Sequence, residues 1–463
     1  MKKIVVLMVL IFIAVPLISF NRVDNSNSQE DWTIMMYMSD HGGDGIEDQL
    51  EEDFDNLMNS DPSTSVNVLV LKKVQKNGTL GLYQVEEGTK KIPLSQINET
   101  WDQNQSLTDH NVLNQYVGWG MDNFPAESYM LNLWGHGSSL DGMLLEEGGS
   151  LNVEDIQKGL ENLRLDILGF DACTMGLIEN YYQLRDTADI IISSQMEEPV
   201  EGWPYDKIMQ ELNDNPEMEP RGVSKVIVDS FVSWGENNSG VSSSLTAIDT
   251  SEIPYLEMND YFGTLEDYLP YYRGEISDAK NNTERYNPQP EPLDLYHFTM
   301  NVEKSIHSQR LKANGRQLRT QINSSVIHHN NYDSDVGSSM NSNGYGFYFS
   351  ENRIADRYHS LDFYENDFTS WVEHFNSVKV KEEVLVDIEV HKNNTVSIEV
   401  VEHLDADMVD VYFIGEEMHM ESTTIGEVNY LELPSSSDDY LIETFIYWED
   451  NLLNHTTIKS NEL

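Results

Sequence analysis

Cysteine is almost absent: one residue, Cys173, stands in a chain of 463. A lone thiol cannot form an intramolecular disulfide, so it is either a buried apolar filler or a reactive group. Basic residues are scarce too, with Lys+Arg at 28 against Asp+Glu at 80, a formal charge of −52. Such a surface repels polyanions, which argues against nucleic acid and anionic lipid as partners. It suits a salty medium, where self-repulsion is screened, and its simplest role is solubility. No Gly-x-Ser-x-Gly, His-Glu-x-x-His, Cys-x-x-Cys or Walker-type loop occurs, so the hydrolase, metallopeptidase and nucleotide motifs are missing. Global disorder is excluded by 39% hydrophobic and 10% aromatic residues.

What is present begins with Met1-Lys2-Lys3 and an apolar run from Ile4 to Phe20. A basic start followed by an apolar stretch predicts a secretory signal, or an uncleaved N-terminal anchor, over residues 1–20. No second run of this kind follows, so the expected location is extracellular or at the cell surface. Membrane contact is expected only through that segment if it is retained. Sequons such as Asn77-Gly-Thr, Asn98-Glu-Thr and Asn454-His-Thr fit an exported surface.

Residues 21–30 read as a polar linker. From Asp31, apolar strands alternate with amphipathic helices. Trp32–Met38, Val66–Leu71, Tyr129–Trp134, Asp166–Phe170 and Ile190–Ser194 are strand-like, whereas Gly45–Met58, Val153–Leu163 and Leu177–Arg185 are helix-like. That alternation predicts an α/β fold with a mainly parallel sheet flanked by helices over residues 31–377. The texture from about 205 to 335 is mostly helical, and Gly344–Phe349 reads as a late strand returning to the sheet. Short β-rich runs from about Val378 predict a small C-terminal β-sandwich domain over residues 378–463.

In such sheets the working residues stand at the carboxyl ends of strands. His136, flanked by Gly135 and Gly137, follows one strand, and Cys173 follows another. One strand–helix–strand unit can bring them side by side. A thiol is only slightly ionised at neutral pH, and a neighbouring imidazole or a helix N-terminus favours the thiolate. The backbone N–H groups of Gly137 and Cys173 are candidates to hold the oxyanion of an acyl-transfer intermediate. Taken singly, His136 reads as easily as a satisfied turn histidine; the pairing with Cys173 is what points to chemistry.

The blocks Trp134-Gly-His-Gly137 and Asp171-Ala-Cys-Thr-Met-Gly176 resemble the His-Gly and Asp-Ala-Cys signatures of clostripain-family cysteine peptidases, in the caspase-like clan. The similarity extends to Asp31-Trp-Thr-Ile-Met-Met-Tyr-Met38, to Gln195–Tyr205 and to Gly346-Phe-Tyr-Phe349. The resemblance implies a caspase-like fold and a dyad of His136 as base and Cys173 as nucleophile. It also implies an S1 pocket for arginine or lysine faced by Asp171. A carboxylate in a pocket binds guanidinium in bidentate fashion and ammonium as a point charge. The competing role for Asp171 is an N-cap for a helix starting near Cys173. Glu197 and Glu198, in the next strand-end loop, are candidates to reinforce the pocket.

The expected partners are therefore proteins or peptides with basic residues. No cofactor is required and no metal ligand is assigned, although the resemblance allows calcium. Asp40-x-Gly-x-Asp44-Gly45-x5-Glu51 approaches an EF-hand loop but has glycine at its third position and follows a strand. Family members often mature by cleavage after a basic residue in the loop between the histidine and the cysteine. Here the only basic residues in that interval are Lys158 and Arg164, both in or beside a helix-like segment, which points to a single-chain enzyme or to removal of an N-terminal segment. The alternative is a catalytically inert surface binding or adhesion protein whose β-rich tail does the binding.

Overall fold

The structure is a computed structural model. It describes residues 30–365 apart from short internal stretches, among them 41–44 and 350–355, and then only the backbone of strands between 385 and 459. The N-terminal segment, the linker up to residue 29 and most of the Asp40–Gly45 insertion lie outside the described residues.

The first half of the chain runs β1 (Glu30–Ser39), α1 (Glu47–Met58), β2 (Val66–Val74), β3 (Thr79–Gln84), β4 (Lys90–Ile92), α2 (His110–Asn123) and β5 (Ala126–Trp134). A small three-stranded sheet follows, β6 (His136–Gly137), β7 (Met143–Glu146) and β8 (Gly149–Leu151). Next come α3 (Val153–Gly159), β9 (Leu165–Asp171), α4 (Ile178–Leu184) and β10 (Ala188–Ser193). The remainder is α5 (Tyr205–Asp214), α6 (Pro220–Asn237), β11 (Ser243–Asp249), α7 (Tyr255–Asn281), β12 (Pro292–Asp294), α8 (Leu295–Ser305), α9 (Gln309–Ser325), β13 (Val326–Tyr332), β14 (Gly346–Tyr348) and α10 (Asp362–Glu365).

Nine strands form one sheet in the order β13-β11-β10-β9-β5-β1-β2-β3-β4. Its five central strands, β10-β9-β5-β1-β2, are parallel, and both margins are antiparallel. The central strands are apolar on both faces because helices cover both. Met35, Tyr37, Leu131, Leu133, Leu168 and Phe170 pack toward α2, α4 and α7–α9. Ile34, Met36, Met38, Met130 and Ile167 pack toward α1, α5 and α6. Side-chain period two assigns Trp134 and Asp171 to the second face.

The parallel α/β sheet expected from the sequence is thus present, with four differences. Strands β11 and β13 lie within the stretch read as mostly helical. Strand β14 does not return to the main sheet but pairs antiparallel with β12. Helix α3 stops at Gly159, four residues short of the predicted end, in turns closed by Leu160 N–Ile156 O and Leu163 N–Leu160 O bonds. The helix read over Leu177–Arg185 runs Ile178–Leu184, with Leu177 at its N-cap, and so does not start near Cys173. Asp171 therefore caps no helix, and the expected help of a helix N-terminus to the thiol is absent.

Near the C-terminus, strands at Leu385–His391, Thr395–Glu402 and Asn429–Glu432 form one antiparallel sheet. Met408–Ile414, Met418–Thr424, Leu441–Trp448 and Asn451–Lys459 form another.

Candidate active site

Strands β5 and β9 are parallel neighbours in register, with Trp134 opposite Asp171. Their carboxyl ends therefore release His136 and Cys173 at the same edge of the sheet. Gly135 turns the chain with φ +146°, and its N–H donates to the Asp171 carbonyl over 3.3 Å. At Gly137 the two segments touch backbone to backbone: a Cβ there would lie 2.0 Å from the Cys173 carbonyl oxygen. Only glycine allows that approach.

Strand β6 is held from its outer side by β7. Ser138 N–H donates to the Gly142 carbonyl over 2.9 Å. Antiparallel alternation then directs the Gly137 N–H to the opposite side, that of Cys173.

His136, Asp171, Cys173, Glu197, Glu198 and Gly202 line one cavity, whose remaining wall includes Ile46, Trp134 and Val200. His136 and Cys173 are both partly exposed. The thiol accepts from the Glu198 N–H at 3.4 Å. Burial pushes its pKa up, the Glu198 N–H pulls it down, and the charges of Glu197 and Asp171 push it up again. These surroundings push the thiol up, whereas the sequence pointed to help for the thiolate.

Asp171 is buried at the inner end of this cavity. Its Oδ2 accepts from the Tyr205 hydroxyl at 2.5 Å and from the Trp203 N–H at 3.3 Å. Gly202, at φ +59°, brings backbone against the carboxylate, and a Cβ there would stand 2.9 Å from Oδ1. Burial raises the Asp171 pKa to about 6 against the lowering effect of the Tyr205 hydrogen bond. The Glu198 carboxyl is buried beside it, with neither oxygen hydrogen-bonded at good geometry. Burial and the Asp171 charge hold its pKa well above the usual range. Glu197 points outward and is exposed. Two buried acids, Asp171 and Glu198, and the exposed Glu197 thus share one cavity.

Next to Cys173, Thr174 has φ +56°, and Ser139 has φ +51°, both uncommon for residues with a Cβ and worst for a β-branched one. The two are fastened together: Ser139 N–H donates to Thr174 Oγ1 at 3.2 Å and Ser139 Oγ lies 3.0 Å from it. Asn180 Nδ2 donates to the carbonyls of Ser139 and Met175, each at 3.1 Å. The Thr174 N–H donates to the Met196 carbonyl at 2.9 Å. The loop carrying Cys173 is therefore pinned to the turn after His136 and to the loop after β10.

The family model described as the clostripain family, Peptidase_C11, matches residues 36–387. The chain belongs to the clostripain family. Members are cysteine-type peptidases, so the lone cysteine and its histidine neighbour now sit in a recognised setting. Clostripain from Hathewaya histolytica is 25% identical over 231 residues, 41% of this chain and 43% of that protein. The chain thus spans less than half the length of that curated relative. An inactive zymogen of a C11 protease from Parabacteroides distasonis has the same fold, with TM-score 0.54, 18% identity, and coverage of 76% of this chain and 99% of the other. So has a secreted C11 cysteine protease from Bacteroides thetaiotaomicron bound to an irreversible peptide inhibitor, with TM-score 0.55, 19% identity, and coverage of 75% and 100%.

Against that background, sequence reasoning brought together His136, Cys173, Asp171, Glu197 and Glu198, and all five line one cavity. It assigned no role to Ser139, Thr174, Gly202, Trp203 and Tyr205. Only Gly202 carried a local signal, as glycine in a strand-end loop. Lys158 is exposed on α3 and paired with Asp155, and Arg164 pairs with Asp189 just before β9. Among the described residues no group of His, Cys, Asp or Glu could hold a metal ion. No described helix is long and apolar enough to cross a membrane.

Proposed function

We propose that this chain is an exported cysteine endopeptidase that cleaves after arginine or lysine through an acyl-enzyme. The observation that carries this reading is the shared cavity: an imidazole and a thiol at its mouth, Asp171 and Glu198 within. The side chain of a basic P1 residue enters toward the two carboxyls, Asp171 accepting the cation and Glu198 sharing its charge. Glu197 contributes at the entrance. That cation offsets the charges that push the Cys173 thiol up, so substrate binding favours ionisation.

His136 then takes the thiol proton, and Cys173 Sγ attacks the carbonyl carbon. The oxyanion is received by the N–H groups of Gly137 and Cys173. Collapse breaks the C–N bond as His136 returns the proton to the departing amine. A water deprotonated by His136 hydrolyses the thioester and restores the thiol. No cofactor takes part in this scheme, and a calcium requirement is left to the assay.

The proposed organisation is a signal or anchor over 1–20, a linker over 21–30, a peptidase domain over 31–377 and a β-rich domain over 378–463. The expected substrates are proteins and peptides with basic residues, met outside the cell or at its surface. The test is turnover of acyl-Arg, acyl-Lys, acyl-Asn and acyl-Asp reporters under reducing conditions, with and without calcium, by protein lacking the first 21 residues. Cleavage of the basic reporters alone, abolished in Cys173→Ala, supports the reading. Equal turnover by Cys173→Ala sinks it.

A further inference from the structure

A second cavity opens on the other side of Cys173. Its wall is formed by Gly137, Ser138, Ser139, Asp141, Thr174 and Tyr348, and it shares only Cys173 and Glu197 with the cavity that holds Asp171. We infer that this second cavity receives the side chain of the residue on the leaving side of the scissile bond, P1′, and favours a basic or polar group over an acidic one. The inference rests on the proposed dyad and deepens it.

Direction follows from the tetrahedral intermediate. The carbon bonded to Cys173 Sγ carries the oxyanion, the P1 Cα and the leaving nitrogen. The P1 side chain is committed to the Asp171 cavity and the oxyanion to the Gly137 and Cys173 N–H groups. The leaving nitrogen is left facing the segment His136–Ser138, whose imidazole returns the proton to it and whose Gly137 and Ser138 line the second cavity.

The wall is built to keep its shape. Ser139 is held to Thr174 by its N–H and hydroxyl, and Asn180 holds the Ser139 carbonyl. The Tyr348 N–H donates to the buried Glu179 carboxyl at 2.9 Å, which fixes the far side. Two left-handed residues that are not glycine, Ser139 and Thr174, border the cavity. The rim sets the preference. Asp141 and Glu197 are exposed carboxylates, and Arg357 near Asp141 is shared with Glu154, at 3.6 Å and 3.5 Å. The rim therefore keeps a negative charge, while the Ser138 and Ser139 hydroxyls offer polar contacts.

The experiment uses the full mature chain and peptides with arginine fixed at P1 and Lys, Ser, Ala or Asp at P1′. Each variant's rates are taken relative to its own rate on an acyl-Arg-aminocoumarin, which has no P1′ side chain. The expected result is a Lys-over-Asp preference of about fivefold in kcat/KM, the size of partly exposed charge pairs. Asp141→Asn, and separately Glu197→Gln, should shrink that ratio toward unity. Coumarin cleavage with no P1′ preference, or a preference that follows P2 instead, overturns the inference alone. No coumarin cleavage by the unmutated chain overturns the peptidase reading and this inference with it.

Discussion

The Tyr205 hydroxyl donates to Asp171 Oδ2 at 2.5 Å while accepting from Asn132 Nδ2 at 2.8 Å. This chain of bonds ties the acid two residues before the thiol to the middle of β5 and to the start of α5. The acid is thereby held on the floor of the cavity without a helix cap.

In the proposed scheme that carboxylate meets the incoming cation, so Asp171→Asn should lower kcat/KM for acyl-Arg by about a hundredfold or more, the cost of leaving a charge buried without its partner. Tyr205→Phe removes one hydrogen bond and keeps the charge, so a loss of about tenfold is expected. Both are read on Arg and Lys reporters. Equal losses in the two variants would argue that Asp171 acts only as part of the framework.

The Cys173 thiol is pushed up by burial and by the charges of Glu197 and Asp171. A small cation such as agmatine in the Asp171 cavity should therefore shift the pH dependence of iodoacetamide labelling toward lower pH. The sign follows from charge: a neighbouring positive group favours the thiolate. Slow labelling that keeps its pH midpoint in the ligand's presence would contradict this.

Thr174 is both strained and bonded. Thr174→Gly relieves the left-handed backbone, worth about 1 kcal/mol or more, but removes the acceptor for Ser139. The variant should therefore keep most of its thermal stability and lose about tenfold in kcat, the scale of a misplaced oxyanion donor set. A full loss of folding would show that the hydroxyl is needed for stability and not only for position.

Among the buried carboxyls held above their ordinary pKa by burial are Asp53 at about 8, Glu179 at about 7, and Asp171 and Asp294 at about 6. Their folded pKa exceeds the unfolded value of about 4. The stability they contribute is complete below that value and is lost as pH rises toward about 8. Self-repulsion of the acidic surface acts in the same direction and is screened by salt. The melting temperature in high salt should be higher at pH 5 than at pH 8, and Asp53→Asn should flatten the difference. A protein more stable at pH 8 in high salt would contradict the burial argument.

The central strands were legible because they are buried on both faces and read as apolar runs; Trp32–Met38 and Asp166–Phe170 fall inside β1 and β9. Strand β13, Val-Ile-His-His-Asn-Asn-Tyr, was not, because it lies at the sheet's margin and its polar residues find partners only in tertiary structure. His329 Nδ1, for instance, lies 2.7 Å from Thr246 Oγ1 on β11. The pairing of β14 with β12 was likewise hidden, since short aromatic strands fit either sheet. At the site, the strand-end rule located His136 and Cys173, which depend on local chain order. Tyr205 and Thr174 escaped notice because one acts through a contact across 34 positions and the other through a backbone angle that its residue type disfavours.

Gly137 lies against the main chain of Cys173, with no side chain between them. The spacing of the His136 and Cys173 segments is therefore gauged by peptide groups, whose dimensions do not vary with sequence. Substitutions in the surrounding core can drift without detuning the pair, as long as position 137 stays glycine.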